Sequence, residues 1–247
     1  MTANQFYVPL MAKDAVRIVL EGEEHRHLAK AARVRCGEEI WLFDAGGRRC
    51  RARVESVGEG RTDLTVLKTE EPEAPRTRIA LAQCLIETKK FETVLEKAAE
   101  LGCSDFMPIV SARSLGVSEE WSGRKLERWK KIAREAAKQY KGRLVTEVHP
   151  LRRLKELLRE PARGPRLFLS EHGGRPLRDI IAGPAAPAEG PPASVVLLVG
   201  PKGGWTAGEE KDIRTAGFTA VSLGRRILRA DTAALAGASL IVHFWNE

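Results

Sequence analysis

The sequence lacks any long apolar run. Its longest stretch of purely aliphatic residues is Val195–Val199, whereas a membrane helix needs roughly 20 apolar residues. The first residues show no basic segment followed by an apolar stretch, so no secretory signal is visible. We therefore expect a soluble, cytoplasmic protein with no membrane partner.

Cysteine and histidine are also sparse. The four Cys are far apart, and none has the CxxC spacing that zinc and redox sites use. The five His contain a single close pair, His25 and His27. We expect small, partly buried free thiols rather than disulfides, and no metal site.

The charge is unevenly distributed over the 247 residues. Residues 1–75 carry 12 basic and 13 acidic side chains, whereas residues 76–247 carry 29 and 20. Arg outnumbers Lys by 27 to 14, which suits RNA because Arg binds phosphate bidentately and stacks on bases. A GC-rich genome would produce the same bias. The basic character makes nucleic acid the leading partner among several.

The pattern of the chain changes near residue 74. Residues 6–70 read as short strands with polar turns around one short helix, which predicts a small β-barrel domain over 1–73. A charged segment with two Pro, 70–78, marks the boundary. From residue 79, strands alternate with helices, which predicts a parallel sheet covered on both faces in a second domain, 74–247.

Two loops carry the functional signal of the second domain. The first, GPKGGW (200–205), follows a buried strand and precedes Thr206, the expected helix N-cap. Its glycines let the backbone approach a ligand and expose N–H groups. The loop matches neither a P-loop nor the dinucleotide fingerprint. On these residues alone, a binding loop and a tight structural turn stay equally open.

The second loop lies within LGRRILRADTAAL, residues 223–235. After a strand end and a glycine come Arg225, Arg226 and Arg229, and a helix is expected from about Asp231. Because ligands of parallel α/β sheets bind outside the carboxyl ends of the strands, both loops are expected at one edge. Arginines beside a helix N-terminus favour an anion there, although solvated surface arginines would give the same pattern.

Together the two loops resemble a pair of motifs from a known family. LLVGPKGGW followed by LGRRILRADTA resembles the paired signatures of the RsmE-type 16S ribosomal RNA uracil-N3 methyltransferases, within the SPOUT superfamily. The resemblance covers nearly the whole chain. Further blocks in the family's order are FYVP (6–9), EEHRHLAKAARVRCGEEIWLFDAGG (23–47), KKFETVLEKAAELG (89–102), MPIVSARS (107–114) and ERWKKIAREAAKQ (127–139).

The resemblance implies a fold and a cofactor that composition does not reveal. Members combine a PUA-like β-barrel with an α/β parallel-sheet methyltransferase domain whose C-terminal chain forms a trefoil knot. They are homodimers with active sites at the subunit interface, and their methyl donor is S-adenosyl-L-methionine. By motif position, the residues expected to bind it are Leu198, Gly200, Pro201, Gly203, Gly204, Leu223, Gly224, Ile227, Leu228, Ser170 and Glu171.

The reaction that the resemblance implies is methylation of uracil N3, at a uridine in helix 44 of 16S rRNA near the decoding centre of the small ribosomal subunit. Arg229 is expected to be the cation that stabilises negative charge on the uracil. Asp231 is expected either to accept the N3 proton or to cap the helix. The residues expected to contact RNA are Arg113, Ser114, Arg226, Arg48, Arg49, Arg51 and Arg53.

Four places depart from the family pattern. Lys202 and Asp231 each stand where Glu is usual, Arg26 replaces the first of a common His pair, and YKGR follows Gln139 where SGR is usual. Two alternatives therefore stay open beside the leading function. One is a methyltransferase for another RNA nucleotide or a ribose 2′-OH. The other is a non-catalytic RNA-binding protein. A nucleotide hydrolase or NAD enzyme lacks its phosphate motif.

Overall fold

The computed structural model describes residues 5–72, 74–115, 123–139, 145–183 and 190–246. These residues form two compact units. The first comprises Met1–Ala74 and Ala137–Val145, and the second comprises Pro75–Ala136 and Thr146–Glu247. The sequence pattern assigns Ala137–Val145 to the second domain, whereas in the structure the described part of this segment groups with the first unit.

The first unit is built on a sheet of five short strands. Its elements are β1 (Gln5–Val8), β2 (Arg17–Glu21), α1 (Gly22–Arg26), a π-helix (His27–Ala32), β3 (Glu39–Asp44), β4 (Arg49–Val57) and β5 (Arg61–Glu70). The strand order is β1-β3-β4-β5-β2, antiparallel except for the pair β1–β3. Helix α1 contacts both edge strands, so the sheet curls into a half-barrel. This is the β-rich fold that residues 6–70 predict.

Side-chain alternation along β4 sets the two faces of this half-barrel. Cys50, Ala52 and Val54 point into the core, whereas Arg51 and Arg53 point to solvent. Successive side chains of a strand point to opposite faces, so each buried residue of β4 is followed by one that faces solvent. The core of the first unit therefore needs only small and aliphatic side chains from its longest strands.

The chain then continues with strands and helices in alternation. The elements are β6 (Arg78–Cys84), α2 (Thr88–Glu100), β7 (Asp105–Val110), α3 (Gly123–Gln139), β8 (Glu147–Val148), β9 (Arg152–Arg153), α4 (Leu154–Arg159), β10 (Arg166–Leu169), β11 (Arg175–Pro176), α5 (Leu177–Ile181), β12 (Ser194–Val199), α6 (Ala207–Thr215), β13 (Thr219–Ser222) and α7 (Ala230–Asn246). Within the described ranges, no helix has the length and apolar character that crossing a membrane requires.

The sheet of the second unit is parallel throughout. Its strand order is β11-β13-β10-β12-β6-β7-β8, and β9 also pairs with β7. Val195 and Leu197 of β12 pack on one face with α2, α5 and α7, whereas Leu198 packs on the other face with α4 and α6. The predicted parallel sheet with helices on both faces is confirmed.

Two helix ends form as their residues predict. Gly102 follows α2 with a φ of +86°, a left-handed conformation that glycine adopts readily at helix C-termini. Thr206 Oγ1 accepts a hydrogen bond from the Glu209 amide at 3.1 Å, and the Glu209 carboxylate accepts one from the Thr206 amide at 3.0 Å. This capping box holds the start of α6.

Three possible metal-ligating groups meet at β7 and β8, away from any motif in the sequence. Ligand atoms of Asp105, Glu147 and His149 lie within 4.8 Å of one another. Arg78 donates to Asp105 at 2.9 Å, and His149 Nε2 lies 3.0 Å from its other carboxylate oxygen. Burial acts to raise the pKa of Asp105, but hydrogen bonding by His149 and the charge of Arg78 outweigh it, so the pKa is lowered. The Asp105 carboxylate is thus already paired with the positive charge of Arg78. The expectation that the protein has no metal site stays a prediction.

The lowered pKa of Asp105 predicts a pH-dependent contribution to stability. The ionised carboxylate stabilises the fold above the unfolded-state pKa of 3.8, and this contribution is lost as the pH falls through the lower folded-state pKa. Asp105→Asn should therefore lower the free energy of unfolding by about 1 kcal/mol at pH 7, and by less at pH 3. Urea unfolding of both proteins at pH 3, 5 and 7 measures the difference. The control is Asp212→Asn, an exposed aspartate of α6 whose carboxylate has no partner within the described residues, and it should change stability equally little at each pH. An equal loss from Asp105→Asn at pH 3 and pH 7 would contradict the prediction.

Candidate active site

A cavity of about 1110 Å³ opens where the parallel strands of the second unit end. The loops after β6, β7, β10, β12 and β13 line it, together with the first turn of α7. Ligand sites in proteins typically enclose roughly 300–1,000 Å³, and parallel α/β sheets hold ligands at this edge. The cavity is therefore the candidate active site.

The glycine loop, residues 200–205, forms one wall of the cavity. A Cβ added to Gly200 would lie 3.0 Å from Cε2 of the Trp205 indole, so the indole fills the space that a side chain would need. Trp205 Nε1 donates to the backbone oxygen of Leu169 at 3.0 Å, which ties the loop to the end of β10. Gly204 has a φ of +67°, which favours glycine. The backbone itself thus lines the wall.

Arg113 holds the glycine loop from the neighbouring loop after β7. Its guanidinium Nη1 donates to the backbone oxygens of Gly203 at 2.7 Å and Trp205 at 3.2 Å. The aliphatic part of Arg113 also lies against Gly203, because a Cβ there would be 3.3 Å from the Arg113 Cδ. The sequence predicts Arg113 as an RNA contact. In the structure its guanidinium also positions the cavity wall, and its contact with RNA stays a prediction.

Glu209 makes a second connection between the same two loops. One carboxylate oxygen accepts the Ala112 amide at 2.7 Å, and the other belongs to the capping box with Thr206. Ser114, also predicted to contact RNA, accepts the Ser111 amide at 2.9 Å and so stabilises the turn of its own loop. The loop after β7 is thereby attached to the start of α6.

The loop after β10 forms the opposite side of the cavity. Ser170 Oγ donates to the Glu210 carboxylate at 3.2 Å and accepts the His172 amide at the same distance. Arg214 donates to the same Glu210 oxygen at 2.8 Å. Glu171 faces the glycine loop, with a carboxylate oxygen 3.7 Å from the position of a Cβ on Gly204. Both residues predicted in this loop therefore line the cavity.

The arginine loop, residues 223–229, contributes positive charge to the cavity. Arg225, Arg226 and Arg229 are exposed and line the cavity together with Lys202. Within the described part of the chain, none of these four side chains forms an ion pair. Free guanidinium groups beside a helix N-terminus attract anions, so the mouth of the cavity suits a negatively charged ligand.

The start of α7 separates the two roles that the sequence left open for Asp231. Helix α7 begins at Ala230, and the Arg229 backbone oxygen accepts the Ala233 amide at 2.8 Å. Arg229 is thus the capping residue, and Asp231 lies inside the first turn with a half-buried side chain that lines the cavity. The prediction that Asp231 caps the helix is wrong, because the helix begins one residue earlier than expected.

Leu198 does not line the cavity, although the sequence predicts that it does. It is fully buried and packs on the α4 and α6 side of the sheet, whereas Val199 reaches the cavity. The residues predicted to line this site that do reach it are Gly200, Pro201, Gly203, Gly204, Leu223, Gly224, Ile227, Leu228, Ser170, Glu171, Arg113, Arg226, Arg229 and Asp231. Val199 and Glu210 are among the lining residues that sequence reasoning missed. The signal for Val199 is its place one residue after Leu198 at the end of the strand. The signal for Glu210 is the acidic first turn that follows Thr206.

The arginines of β4 lie in the first unit, and each has a partner there. Arg48 precedes the strand and donates to the Met11 backbone oxygen at 2.6 Å. The Arg49 guanidinium lies 3.7 Å from the centre of the Trp41 ring. Arg51 and Arg53 both lie beside Glu39, at 3.3 and 3.7 Å. Their predicted contact with RNA stays a prediction.

A cysteine nucleophile is excluded beside the cavity. Cys84 ends β6, is fully buried and forms no disulfide. Burial raises the pKa of its thiol to about 12; a hydrogen bond with Ser111 opposes this shift and the charge of Glu209 adds to it. Because the thiolate is the reactive form, Cys84 is inert near neutral pH.

The matches to known families agree with this geometry and define the class. Residues 72–242 match the family described as RNA methyltransferase domain, and residues 20–67 match the family described as RNA methyltransferase PUA domain. The fold and cavity are thus those of an RNA methyltransferase with a PUA-like half-barrel.

Full-length relatives narrow the class to one family. The ribosomal RNA small subunit methyltransferase E of Mycobacterium tuberculosis is 30% identical over 258 residues, which cover 100% of this chain and 95% of the relative. That of Bacillus subtilis is 28% identical, covering 93% of this chain and 91% of the relative. The crystal structure of the Neisseria gonorrhoeae enzyme bound to S-adenosyl methionine is 30% identical with a TM-score of 0.87 and covers 98% of each chain. The chain belongs to the ribosomal RNA small subunit methyltransferase E family.

The Arg113 contacts predict how the glycine loop responds when they are removed. Hydrogen bonds from a charged donor contribute about 1.5–3 kcal/mol each, so Arg113→Ala should speed amide hydrogen exchange at residues 203–206 by about 10-fold or more. Hydrogen–deuterium exchange with mass spectrometry measures this. Arg225→Ala is the control, since its guanidinium has no partner within the described ranges. Unchanged exchange in Arg113→Ala would show that another contact holds the loop.

Proposed function

We propose that this chain methylates N3 of a uridine in helix 44 of 16S rRNA, in the decoding region of the small ribosomal subunit, with S-adenosyl-L-methionine as methyl donor, in the cytoplasm. The observation that carries the proposal is a single cavity lined by the glycine loop and the arginine loop. Arg229, which has no ion pair within the described residues, and Asp231, which does not cap α7, both line it. Family membership supports the substrate class. The first unit is proposed as the RNA-binding domain and the second as the methyltransferase domain.

The cavity fits the proposed methyl donor in size and in lining. Leu169, Val199 and Val221 give it an apolar floor, and the glycine loop presents backbone close to the ligand. No side chain projects from Gly200, Gly203 or Gly204, so the loop leaves room beside its backbone for an adenosine or a methionine group. Bound there, S-adenosyl-L-methionine supplies a methyl group on a positively charged sulfur.

Arg229 is proposed to stabilise charge that develops on the substrate. Removing the proton from uracil N3 places negative charge on O2 and O4, and a fixed cation lowers the free energy of that state. Arg229 is exposed, lines the cavity and forms no ion pair within the described residues. Its charge is therefore available to the substrate.

Asp231 is proposed to accept the N3 proton. Its carboxylate forms no hydrogen bond within the described residues, although it lines the cavity two residues from Arg229. A general base must keep a lone pair free for the proton it takes. The N3 electron pair then forms the new bond to the methyl carbon, the carbon–sulfur bond breaks, and neutral S-adenosylhomocysteine leaves.

We also propose that the chain forms a homodimer through α7. The inner side of this helix buries Ala234, Ala238 and Ile241, yet its outer side exposes Phe244 to 46% beside half-buried Leu240. A two-fold axis brings the same patch of both subunits together and would cover these side chains.

The trefoil knot stays a prediction, because strand order does not define how one segment threads another.

The reaction is tested with purified small ribosomal subunits that lack the modification. They are incubated with methyl-labelled S-adenosyl-L-methionine, digested with nuclease and analysed by mass spectrometry. Label at N3 of a single helix 44 uridine is the expected result. Label at another nucleotide or at a ribose 2′-OH would replace the proposed target, and cofactor binding without transfer would leave a non-catalytic RNA-binding protein.

The two proposed catalytic residues are tested in the same assay. Arg229→Ala should lower kcat about 100-fold or more, and Asp231→Asn about 100-fold or more, with the Kd for the cofactor within about threefold of the original. Asp231→Glu should restore most of the rate lost in Asp231→Asn. Arg159→Ala, an exposed arginine at the end of α4, is the control. Near-normal turnover in either variant would remove that residue from the mechanism.

The dimer is tested by multi-angle light scattering. Phe244→Asp should convert a dimer to a monomer at micromolar concentration, because a carboxylate would be buried without a partner in the interface. Circular dichroism should remain unchanged, since Phe244 is half exposed in the single chain. A monomeric wild-type protein at this concentration would refute the proposal.

A further inference from the structure

We propose that the first unit binds RNA through a basic patch that spans its π-helix and the residues on either side of it, formed by Arg26, Lys30, Arg33 and Arg35, rather than through the arginines of β4. The class of partner, ribosomal RNA, rests on the proposed function. All four side chains are exposed. The stretch from 26 to 35 contains no Asp or Glu, so its Arg and Lys side chains are all positive.

The cations of the patch lack the partners that those of β4 have. In the portion of the chain that the structure describes, Lys30, Arg33 and Arg35 form no ion pair, and Arg26 donates only to the Gly22 backbone oxygen at 3.3 Å. Arg51 and Arg53 of β4 share Glu39. A phosphate that binds Arg51 or Arg53 approaches the negative charge of Glu39, whereas one that binds the patch displaces only water and counterions.

The backbone of the segment presents these cations outward. Arg26 and Lys30 are four residues apart on the helix and so lie on one face. Val34 is buried at 5% exposure, and its amide donates to the Leu28 backbone oxygen at 3.2 Å. The residues on either side of it, Arg33 and Arg35, are therefore directed to solvent.

Arg33 has a conformation that its residue type disfavours. Its φ of 53° and ψ of 38° are left-handed, and it is the one non-glycine residue with positive φ in the described ranges. Glycine or asparagine usually occupies this position at a helix end. Strained residues and π-helical turns cluster at functional sites. The left-handed backbone at Arg33 therefore supports a functional use of this segment.

An exposed aromatic ring lies within the patch. His27 is exposed, and its ring meets that of Phe6 edge to face at a centroid distance of 5.4 Å. RNA-binding surfaces combine guanidinium groups, which bind phosphate bidentately, with rings that stack on unpaired bases. The segment that carries the four cations thus also exposes an aromatic ring.

Positive charge near the end of a helix also stabilises the helix through its dipole, so these cations can act on the fold as well as on RNA. The test must therefore separate binding from stability. Two double variants remove equal charge: Lys30→Gln/Arg35→Gln in the patch and Arg51→Gln/Arg53→Gln in β4. Each is tested for binding to purified small ribosomal subunits by filter binding over a series of salt concentrations.

The patch variant should bind about 10-fold or more weakly at roughly 0.1 M salt, and its slope of log affinity against log salt should be less steep by about 1 to 2. The β4 variant should bind within about threefold of the wild type with an unchanged slope. A patch variant with wild-type affinity and slope would overturn the proposal, as would a larger loss in the β4 variant.

Arg33→Gly separates the structural role from the binding role. It removes a charge and places glycine where left-handed backbone favours it, so its Tm should equal or exceed that of the wild type while its affinity for subunits falls. Wild-type affinity with a changed Tm would assign Arg33 to helix termination alone and count against the patch. The binding readout needs no methyl transfer. A wild-type chain that binds subunits through the patch but transfers no methyl group would overturn the proposed function and leave this inference standing.

Discussion

Every strand in the sheet of the second unit runs in the same direction, and the position of the cavity depends on this constraint. The loops after β10, β12 and β13 leave one edge of the sheet, so residues 170, 200 and 229 meet although they are distant in the chain. Helices on both faces bury the sheet and make that edge its accessible end. Because both faces of the sheet are buried in the core, the ends of its strands are where a ligand can bind.

Charge pairing decides which of the many arginines face a ligand. The chain has 27 of them, so arginine alone distinguishes nothing. Arg113 is bonded to backbone oxygens and Arg51 to a carboxylate, whereas Arg229 has neither kind of partner within the described residues. An unpaired guanidinium keeps its hydrogen-bond donors for phosphate or for a developing oxyanion. The positions of the acidic side chains therefore determine which arginines can bind a ligand.

Local patterns predicted much of the fold and the site. Alternating or β-rich runs identified the strands of the first unit, and apolar runs between helices identified those of the second. The Thr206 cap and the Gly102 helix end follow from residue type. Motif spacing placed the glycine and arginine loops at one cavity. The face of a single strand residue is harder to predict: Leu198 packs away from the cavity while Val199 reaches it, because one step along a strand reverses the face of a side chain.

Contacts between distant segments could not be predicted from the sequence. The bond from Arg113 to Gly203 spans 90 residues, and the Asp105 group joins residues 44 apart. No periodicity or motif encodes which carboxylate will reach which cation. Pairing of Arg51 and Arg53 with Glu39 likewise depends on the register between β3 and β4. Element types are therefore readable from the sequence, whereas the partners of charged side chains require the fold.

The shared carboxylate of Glu209 has a consequence for conformational entropy. Because one oxygen holds the loop after β7 and the other holds the start of α6, the two segments cannot move independently. Both are ordered when the chain folds rather than when a ligand arrives. A ligand that enters such a preorganised wall loses less affinity to ordering the protein. The hydrogen bonds of Glu209 thus contribute to the affinity of the cavity without touching the ligand.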